Sequence, residues 1–220
     1  MRTSLRLLTV SLALLLTHNA SAAEAARAQL DQFAEGIQNL QATFEQSVFN
    51  AEDEALDKTS GTLVLARPNR FRWDYLKPEE QRIIADGDNI WIYDVELEQV
   101  SVRPQSMDEQ QSPLAVLLDL NSLDQQFASK ENGEKDGAQW LRLTPKAAEP
   151  QFSHVDLAFR ESRLTRMVMV DIVGQRTEIV FQDWKRNAAL PPGTFLFNPP
   201  VGVDVVGDVH VGAKTAPVEE

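Results

Sequence analysis

The sequence predicts a single α+β domain in which one curved antiparallel sheet dominates and two helical segments pack against it. Three observations lead to this fold class. About ten short segments from Gly61 onward alternate apolar and polar residues, as strands do. Most of them are joined by short turns, which favours pairing between consecutive strands. Two other segments, one before Gly61 and one near Ala115, carry helical patterns instead.

The first of these helical segments runs from Leu30 to Val48. Its apolar residues recur at steps of three and four and form one stripe, whereas its other positions are mostly Gln, Asp, Glu and Asn. The stripe consists of Leu30, Phe33, Ile37, Leu40, Phe44 and Val48. Gly36 inside it costs about 1 kcal/mol of helix stability relative to alanine.

The strands after Gly61 are predicted to form a meander. Asp86-Gly87 is a strong hairpin turn signal, and Asn132-Gly133 and Asp136-Gly137 are further turn signals. The predicted strands lie at 61–65, 70–75, 83–84, 90–93, 100–102, 140–143, 152–159, 164–172, 177–184 and 201–206.

The second helical segment interrupts this meander. Ser112 is a suitable N-cap and Pro113 suits a first helical turn. The segment from Leu114 to Leu120 is apolar on nearly all sides, so it must be covered. Asn121-Ser122 is predicted to break the helix before Leu123.

The first 22 residues have the features of a signal peptide. Two arginines precede an apolar run over residues 7–16, and Ala20-Ser21-Ala22 has the small-x-small pattern of a cleavage site. An uncleaved anchor is the alternative, but the run is shorter than the ~20 residues that a membrane span needs. We therefore expect an exported protein with one domain over residues 23–206 and a loosely held tail over residues 207–220.

Composition restricts the function classes. The net charge of −12 becomes −14 without Arg2 and Arg6, which argues against binding nucleic acid or an anionic membrane face. The 220 residues include no cysteine, so we do not expect a lipid anchor on this chain. His154 and Asp156 could share a strand face, but no catalytic or metal-binding motif is recognisable. We expect neither an enzyme, a metal site nor a cofactor.

Aromatic residues concentrate in neighbouring predicted strands, at Phe71, Trp73, Trp91 and Tyr93. They could form an ordinary core beneath the helices. Alternatively, a curved sheet with only two helical segments leaves a hollow on its concave face, and a hollow lined by Leu, Ile, Phe and Trp binds apolar ligands. The composition does not decide between these two interpretations.

A series of motifs favours the second interpretation. Residues 61–73 match G-x-L-x-x-x-R-P-x-x-F-x-W, and residues 86–93 match a D-G hairpin followed by W-x-Y. Residues 44–46 match F-x-Q near the end of the first predicted helix, residues 143–146 match L-x-P-K, and residues 195–203 match F-x-F-x-P-P-x-G-V. With these motifs in this order, the chain resembles the outer-membrane lipoprotein carrier family, LolA, over about residues 24 to 206.

The resemblance implies an unclosed, half-open β-barrel with a helical lid, formed by the first helix and the Ser112 region, over a hydrophobic cavity. It implies a monomeric periplasmic carrier whose inner face holds the acyl chains of lipoproteins. The cargo would come from an inner-membrane ABC-type release complex, LolCDE, and pass to an outer-membrane receptor, LolB. A periplasmic carrier or sensor of another lipid or apolar small molecule is the alternative.

The resemblance also assigns residues. The family's key arginine corresponds to Arg67, which would form hydrogen bonds to lid carbonyls near Leu117 and Leu118 and hold the cavity shut. By alternation, Arg70 and Arg72 should lie on the convex side of the sheet. The acyl-binding cavity is predicted to be lined by Leu30, Phe33, Ile37, Leu63, Leu65, Phe71, Trp73, Ile84, Trp91, Tyr93 and Leu114.

Overall fold

A computed structural model describes residues 25–105 and 118–210. Within these ranges the chain forms two helices, α1 (Ala26–Ala34) and α2 (Leu120–Gln126), and twelve strands. The strands are β1 (Asn39–Phe49), β2 (Ala55–Ala66), β3 (Arg70–Lys77), β4 (Gln81–Ala85), β5 (Asn89–Asp94), β6 (Gln99–Pro104), β7 (Phe127–Lys135), β8 (Ala138–Pro145), β9 (Phe152–Arg160), β10 (Arg163–Asp171), β11 (Arg176–Arg186) and β12 (Asp204–Gly207).

All twelve strands belong to one sheet with the order β12-β6-β5-β4-β3-β2-β1-β11-β10-β9-β8-β7. From β1 to β6 and from β7 to β11, consecutive strands pair as antiparallel neighbours. The two runs join where β1 pairs antiparallel with β11, and β12 pairs parallel with β6. Since β7 and β12 are the two ends of this order, the sheet does not close into a barrel. The predicted α+β fold class with an unclosed sheet is confirmed.

The prediction of a helix from Leu30 to Val48 is wrong beyond about the first third of that segment. The helix α1 ends at Ala34, Gly36 adopts a left-handed φ of 65°, and β1 begins at Asn39. Along β1 every second side chain is buried from Leu40 to Phe44. A spacing of four residues between apolar positions fits one face of a helix and also one face of a strand, so the stripe did not distinguish the two.

The sequence does not predict β7, because after Phe127 all its side chains are polar or small and exposed. Asn132-Gly133 does not form the expected hairpin turn. It lies inside β7, at the irregularity between Glu131 and Glu134, and Asp136-Gly137 alone makes the turn to β8.

The predicted break at Asn121-Ser122 is also wrong, because both residues lie in the first turn of α2. The carboxylate of Asp119 accepts hydrogen bonds from their backbone N–H groups, at 3.1 and 3.4 Å. An aspartate N-cap of this kind starts a helix. None of the helices within the described residues is long and apolar enough to cross a membrane.

Two apolar clusters lie on opposite faces of the sheet. We call the face that packs against α1 the inner face. There Leu30 and Phe33 of α1 are buried in the larger cluster, over strands β7 to β10. The smaller cluster lies on the outer face of β4 to β6, where it is covered by the segment that precedes β12.

That C-terminal segment is fixed at two points. The ring of Phe197 lies 5.6 Å from that of Trp91 and 5.7 Å from that of Tyr93. The side chain of buried Asn89 exchanges two hydrogen bonds with the backbone of His210, at 2.8 and 2.6 Å. The tail is therefore held as far as His210, contrary to the expectation of a loose segment from residue 207. Residues 211–220 lie outside the described residues.

Candidate functional site

The inner face of β3 to β5 carries a row of apolar side chains that remain partly exposed. The register aligns Trp73 with Ile83 and Ile83 with Ile92, so these three share a face. Phe71 and Tyr75 lie on the same face of β3. These five residues, the apolar row, are partly exposed, whereas the inner face beneath α1 is packed.

Aromatic rings form one end of the apolar row. The ring of Phe44 on β1 lies 4.7 Å from that of Trp73 and 5.4 Å from that of Tyr75. This close approach requires Gly61, since a Cβ there would lie 1.9 Å from the carbonyl oxygen of Asp74 and 3.0 Å from the Phe44 ring. A ring cluster on a neutral inner face suits an apolar ligand.

The one titratable side chain of the apolar row stays neutral. Burial raises the pKa of Tyr75, and its hydroxyl hydrogen bond to Gln46 at 3.4 Å opposes this rise only in part. The row therefore offers an apolar surface with a single uncharged hydroxyl.

Three residues predicted to line the cavity lie on the other face of the sheet. Ile84, Trp91 and Tyr93 belong to the outer-face cluster beneath Phe197, so their assignment to one cavity with Phe71 and Trp73 is wrong. The register between β3 and β4 pairs Arg72, not Trp73, with Ile84. The Asp86-Gly87 hairpin predicts that β4 and β5 pair, but it does not fix their register relative to β3.

The same register identifies two residues that sequence reasoning missed. Ile83 and Ile92 occupy the inner-face positions next to the three that were misassigned. Their alternation with Ile84 and Trp91 was visible in the sequence, but every residue from Ile90 to Tyr93 is apolar. Such a run does not reveal which of its residues lie on the inner face.

The other predicted cavity residues divide into three groups. Phe71 and Trp73 lie in the apolar row. Leu114 lies outside the described residues, as does Leu117, which was predicted to belong to the lid latch and not to the cavity. The remainder are at most 2% exposed and form the packed base beside the row: Leu30, Phe33, Ile37, Leu63 and Leu65.

Arg67 lies at the turn between β2 and β3, at the edge of the inner face. Its guanidinium donates a hydrogen bond to the backbone carbonyl of Leu118, which is buried in the inner cluster and precedes α2. Its own backbone N–H donates to the carbonyl of Gln38 at 3.0 Å. Arg67 therefore links three segments: the β2–β3 turn, the start of β1 and the start of α2.

The neighbouring arginines, Arg70 and Arg72, make their contacts away from the inner face. Arg72 is paired with Asp74 at 2.7 Å and lies on the outer face, as predicted. Arg70 donates to the carbonyl of Arg67 at 3.1 Å, and its guanidinium lies 5.0 Å from the ring centre of Phe195.

His154 and Asp156 are the two residues that the sequence analysis considered for a catalytic or metal site, and the carboxylate of Asp156 forms an ion pair with Arg142. Both oxygens of Asp156 accept hydrogen bonds from Arg142, at 2.6 and 2.7 Å. Burial, followed by the charge of Arg142, lowers the pKa of His154. Within the described residues there is no group of three or more potential metal ligands.

Residues 35–198 match the family described as "Outer membrane lipoprotein carrier protein LolA". The chain belongs to the LolA family. Curated relatives in this family include an outer-membrane lipoprotein carrier protein of Xanthomonas campestris pv. campestris (strain B100), 46% identical over 84% of this chain and 90% of that protein. Another, from Dechloromonas aromatica (strain RCB), is 41% identical over 82% of this chain and 86% of that protein.

An uncharacterized conserved protein from Thermus thermophilus shares the fold at 17% identity, with a TM-score of 0.53 over 82% of this chain and 95% of that one. The LolA family is a family of carriers and not of enzymes, which confirms the expectation that this chain is not an enzyme.

The LolA-like motifs take defined places in the structure. The arginine–proline pair forms the β2–β3 turn, and the D-G hairpin joins β4 to β5. The F-x-Q motif lies in β1 and not in the first helix, and it brings Phe44 to the aromatic end of the apolar row. The closing motif crosses the outer face, where Phe197 packs.

Proposed function

We propose that this chain is a periplasmic carrier that shelters the acyl chains of outer-membrane lipoproteins on the inner face of β3 to β5. Residues 1–22 act as its export signal. It receives cargo from an inner-membrane ABC-type release complex, LolCDE, and delivers it to the outer-membrane receptor LolB. The observation that carries this proposal is the apolar row, which stays partly exposed beside a fully packed half of the same face.

The energetics require such a carrier. Burying one methylene group stabilises by ~0.8 kcal/mol, so one long acyl chain represents on the order of 10 kcal/mol. A molecule with several such chains does not cross an aqueous compartment unaided. The apolar row supplies aliphatic and aromatic surface without charge, which suits chains that differ in length.

A carrier must also release its cargo, and Arg67 provides a means. Its bond to Leu118 stabilises the closed arrangement, and a hydrogen bond to a charged group contributes about 1.5–3 kcal/mol. Acyl chains that enter must break this contact, so part of their burial free energy is offset. The affinity is thereby kept low enough for transfer to a receptor.

The test uses residues 23–220 and spheroplasts that synthesise labelled lipoproteins. We expect the lipoproteins to appear in the soluble fraction as one-to-one complexes with the carrier. The variant Ile83→Ser should release less cargo, because it places a hydroxyl in the apolar row. The matched control Leu97→Ser changes an exposed leucine of the β5–β6 turn and should release as much as the unchanged protein.

Absence of lipoprotein release, with an apolar dye still bound to the protein, would contradict the cargo assignment. It would favour a carrier of another lipid. Equal release by Ile83→Ser and the unchanged protein would contradict the assignment of the apolar row.

A further inference from the structure

The inner face of β3 to β5 changes from apolar to polar along the strands. At the level of Trp73, all three strands present apolar side chains, which belong to the apolar row. At the next level, further from the β2–β3 turn, Tyr75 is aligned with Gln81 and Gln81 with Asp94. We call these last three residues the polar end. Trp73 therefore lies where the apolar surface meets polar side chains.

The indole N–H of Trp73 is a buried donor that has no acceptor among the described residues. The other three tryptophans of the chain are Trp91, Trp140 and Trp184, and each donates to a carboxylate or a backbone carbonyl, at 2.8, 3.2 and 2.6 Å respectively. A buried donor without an acceptor costs free energy, because it has lost its hydrogen bond to water. Such a group calls for a partner, and on a ligand-binding surface the ligand can supply it.

A ligand on the inner face can reach this donor after a change of one side-chain torsion. Trp73 is partly exposed, although its nitrogen is buried, so the N–H lies on the closed side of the ring. A rotation of the indole about its Cβ–Cγ bond brings the N–H toward the open side. This torsion has two broad wells in aromatic side chains, so the rotation requires no strained rotamer.

The neighbours of Trp73 favour an uncharged acceptor. The hydroxyl of Tyr75 stays neutral, since burial raises its pKa. The carboxylate of Asp94, which accepts from the backbone N–H of Leu97 at 3.0 Å, repels anionic groups. A phosphate or a free carboxylate is therefore disfavoured at the polar end, whereas an ester or amide carbonyl accepts a hydrogen bond without carrying a charge.

We propose that Trp73 donates a hydrogen bond to the carbonyl of the ester or amide linkage that joins an acyl chain to the rest of the cargo. The inference rests on the proposed function and deepens it, because it assigns the orientation of the lipid. The acyl chain extends from Trp73 over Phe71 toward the β2–β3 turn. The more polar part of the lipid lies at the polar end.

This contact fits a surface that accepts acyl chains of different lengths. Every acyl chain in ester or amide linkage carries such a carbonyl, whatever its length. A hydrogen bond at this point fixes the start of the chain, and the far end remains free to vary over the apolar surface. A hydrocarbon without the carbonyl gains only the burial of its apolar surface.

The test compares two uncharged probes of equal chain length. One is a monoacylglycerol, and the other is the corresponding alkylglycerol ether, which has no carbonyl. Calorimetric titration should show that the protein binds the ester about 2- to 10-fold more tightly than the ether. The variant Trp73→benzothienylalanine replaces the indole N–H by sulfur with little change of shape, and it should bind both probes equally.

The matched control is Trp184→benzothienylalanine. It loses the hydrogen bond to the carbonyl of Leu164, so it should unfold at a lower urea concentration while it keeps the preference for the ester. The Trp73 variant should show no such loss of stability, since its N–H has no partner to lose. Equal destabilisation by the two variants would mean that the Trp73 N–H is already bonded within the protein, and would overturn the proposal.

Nuclear magnetic resonance of the protein labelled with ¹⁵N-tryptophan gives a second readout. The indole proton signal of Trp73 should move downfield with the ester and not with the ether, whereas that of Trp184 should stay in place with both. Equal affinities for the two probes, with the same Trp73 signal in both complexes, would overturn the carbonyl contact and leave the carrier function intact. Failure of both probes to bind would count against the apolar row itself.

Discussion

Arg67 joins parts of the chain that are distant in sequence, through its backbone and its side chain separately. The backbone bond to Gln38 fixes the β2–β3 turn to the start of β1, and the side-chain bond reaches Leu118. Only the family resemblance could suggest this role, because an exposed arginine at the end of a strand has no distinguishing pattern. Of the two carbonyls that the resemblance suggested, the structure shows that of Leu118 accepting the hydrogen bond, and Leu117 lies outside the described residues.

Replacing Arg67 by leucine tests the closing role. The variant lacks the hydrogen bond to Leu118, so opening costs about 1.5–3 kcal/mol less and affinity for a fluorescent fatty-acyl probe should rise about 10- to 100-fold. Transfer of bound lipoprotein to the receptor should slow correspondingly. Arg82→Leu, on the outer face, is the control and should change neither quantity. Unchanged affinity and transfer in the Arg67 variant would show that the contact is not a latch.

Asp86 stabilises the β4–β5 hairpin through three hydrogen bonds. Its carboxylate accepts from the backbone N–H groups of Asp88 and Asn89, at 2.8 and 2.7 Å, and from the indole of Trp91 at 2.8 Å. Burial alone would raise the pKa of Asp86, but these bonds outweigh it and lower the pKa below its ordinary value of 3.8. The folded state therefore prefers the ionised form more strongly than the unfolded state does.

The contribution of Asp86 to the free energy of unfolding therefore decreases at acidic pH. The stabilisation by Asp86 is fully present above pH 3.8 and is lost as pH falls through the lower, folded-state pKa. Urea unfolding at neutral and acidic pH should show a free-energy difference between the protein and Asp86→Asn that shrinks on acidification. Asp88→Asn, two residues further along the same turn, is the control. A difference that grows on acidification would contradict this assignment.

At the level of elements, the sequence predicted which segments form strands better than it predicted which side chains lie on each face of the sheet. The period of two identified ten strands, but β1 carried a spacing that a helix shares and β7 carried no apolar pattern. The sequence also could not show that Ile83 and not Ile84 lies on the inner face. That choice depends on the β3–β4 register, and a shift of one residue exchanges the two faces.

Ile83 and Ile84 are adjacent in β4 but lie on opposite faces, so substituting each one tests ligand binding and folding stability separately. Ile83→Ala removes surface from the apolar row and should weaken acyl-probe binding by about tenfold. Ile84→Ala leaves a hole in the outer cluster, where Ile84 is fully buried, and should lower the free energy of unfolding by about 2–5 kcal/mol. Calorimetric titration and urea unfolding measure the two effects. Equal effects of both variants on binding would mean that the face assignment is incorrect.

Across the whole molecule, the α+β class and the unclosed sheet followed from alternation, short turns and the LolA-like motifs. The division of the apolar residues between two faces did not follow, because aromatic content alone does not reveal that one cluster is covered by the C-terminal segment. Phe197 is central to that cover, since it contacts both Trp91 and Tyr93.

Phe197→Ala should therefore destabilise the protein without weakening acyl binding. Because Phe197 is partly buried, we expect a loss of about 2–3 kcal/mol, below the ~3–5 kcal/mol of a fully buried phenylalanine. Leu196→Ala is the control, since Leu196 is 71% exposed and should matter little. If Phe197→Ala folds but no longer binds the acyl probe, the ligand binds on the outer face, and the assignment to the inner face is incorrect.

The pairing of β1 with β11 has a kinetic consequence. Leu40 meets Arg186 and Phe49 meets Arg176, so the middle of the sheet joins an early strand to one of the last. Contacts so distant along the chain form slowly, because a long loop must close before they stabilise anything. The sheet therefore cannot be completed until β11 has been synthesised, and the growing polypeptide lacks its central strand pair throughout most of its translation. A chain that stays incompletely folded for that long remains in a condition suited to threading through a membrane channel.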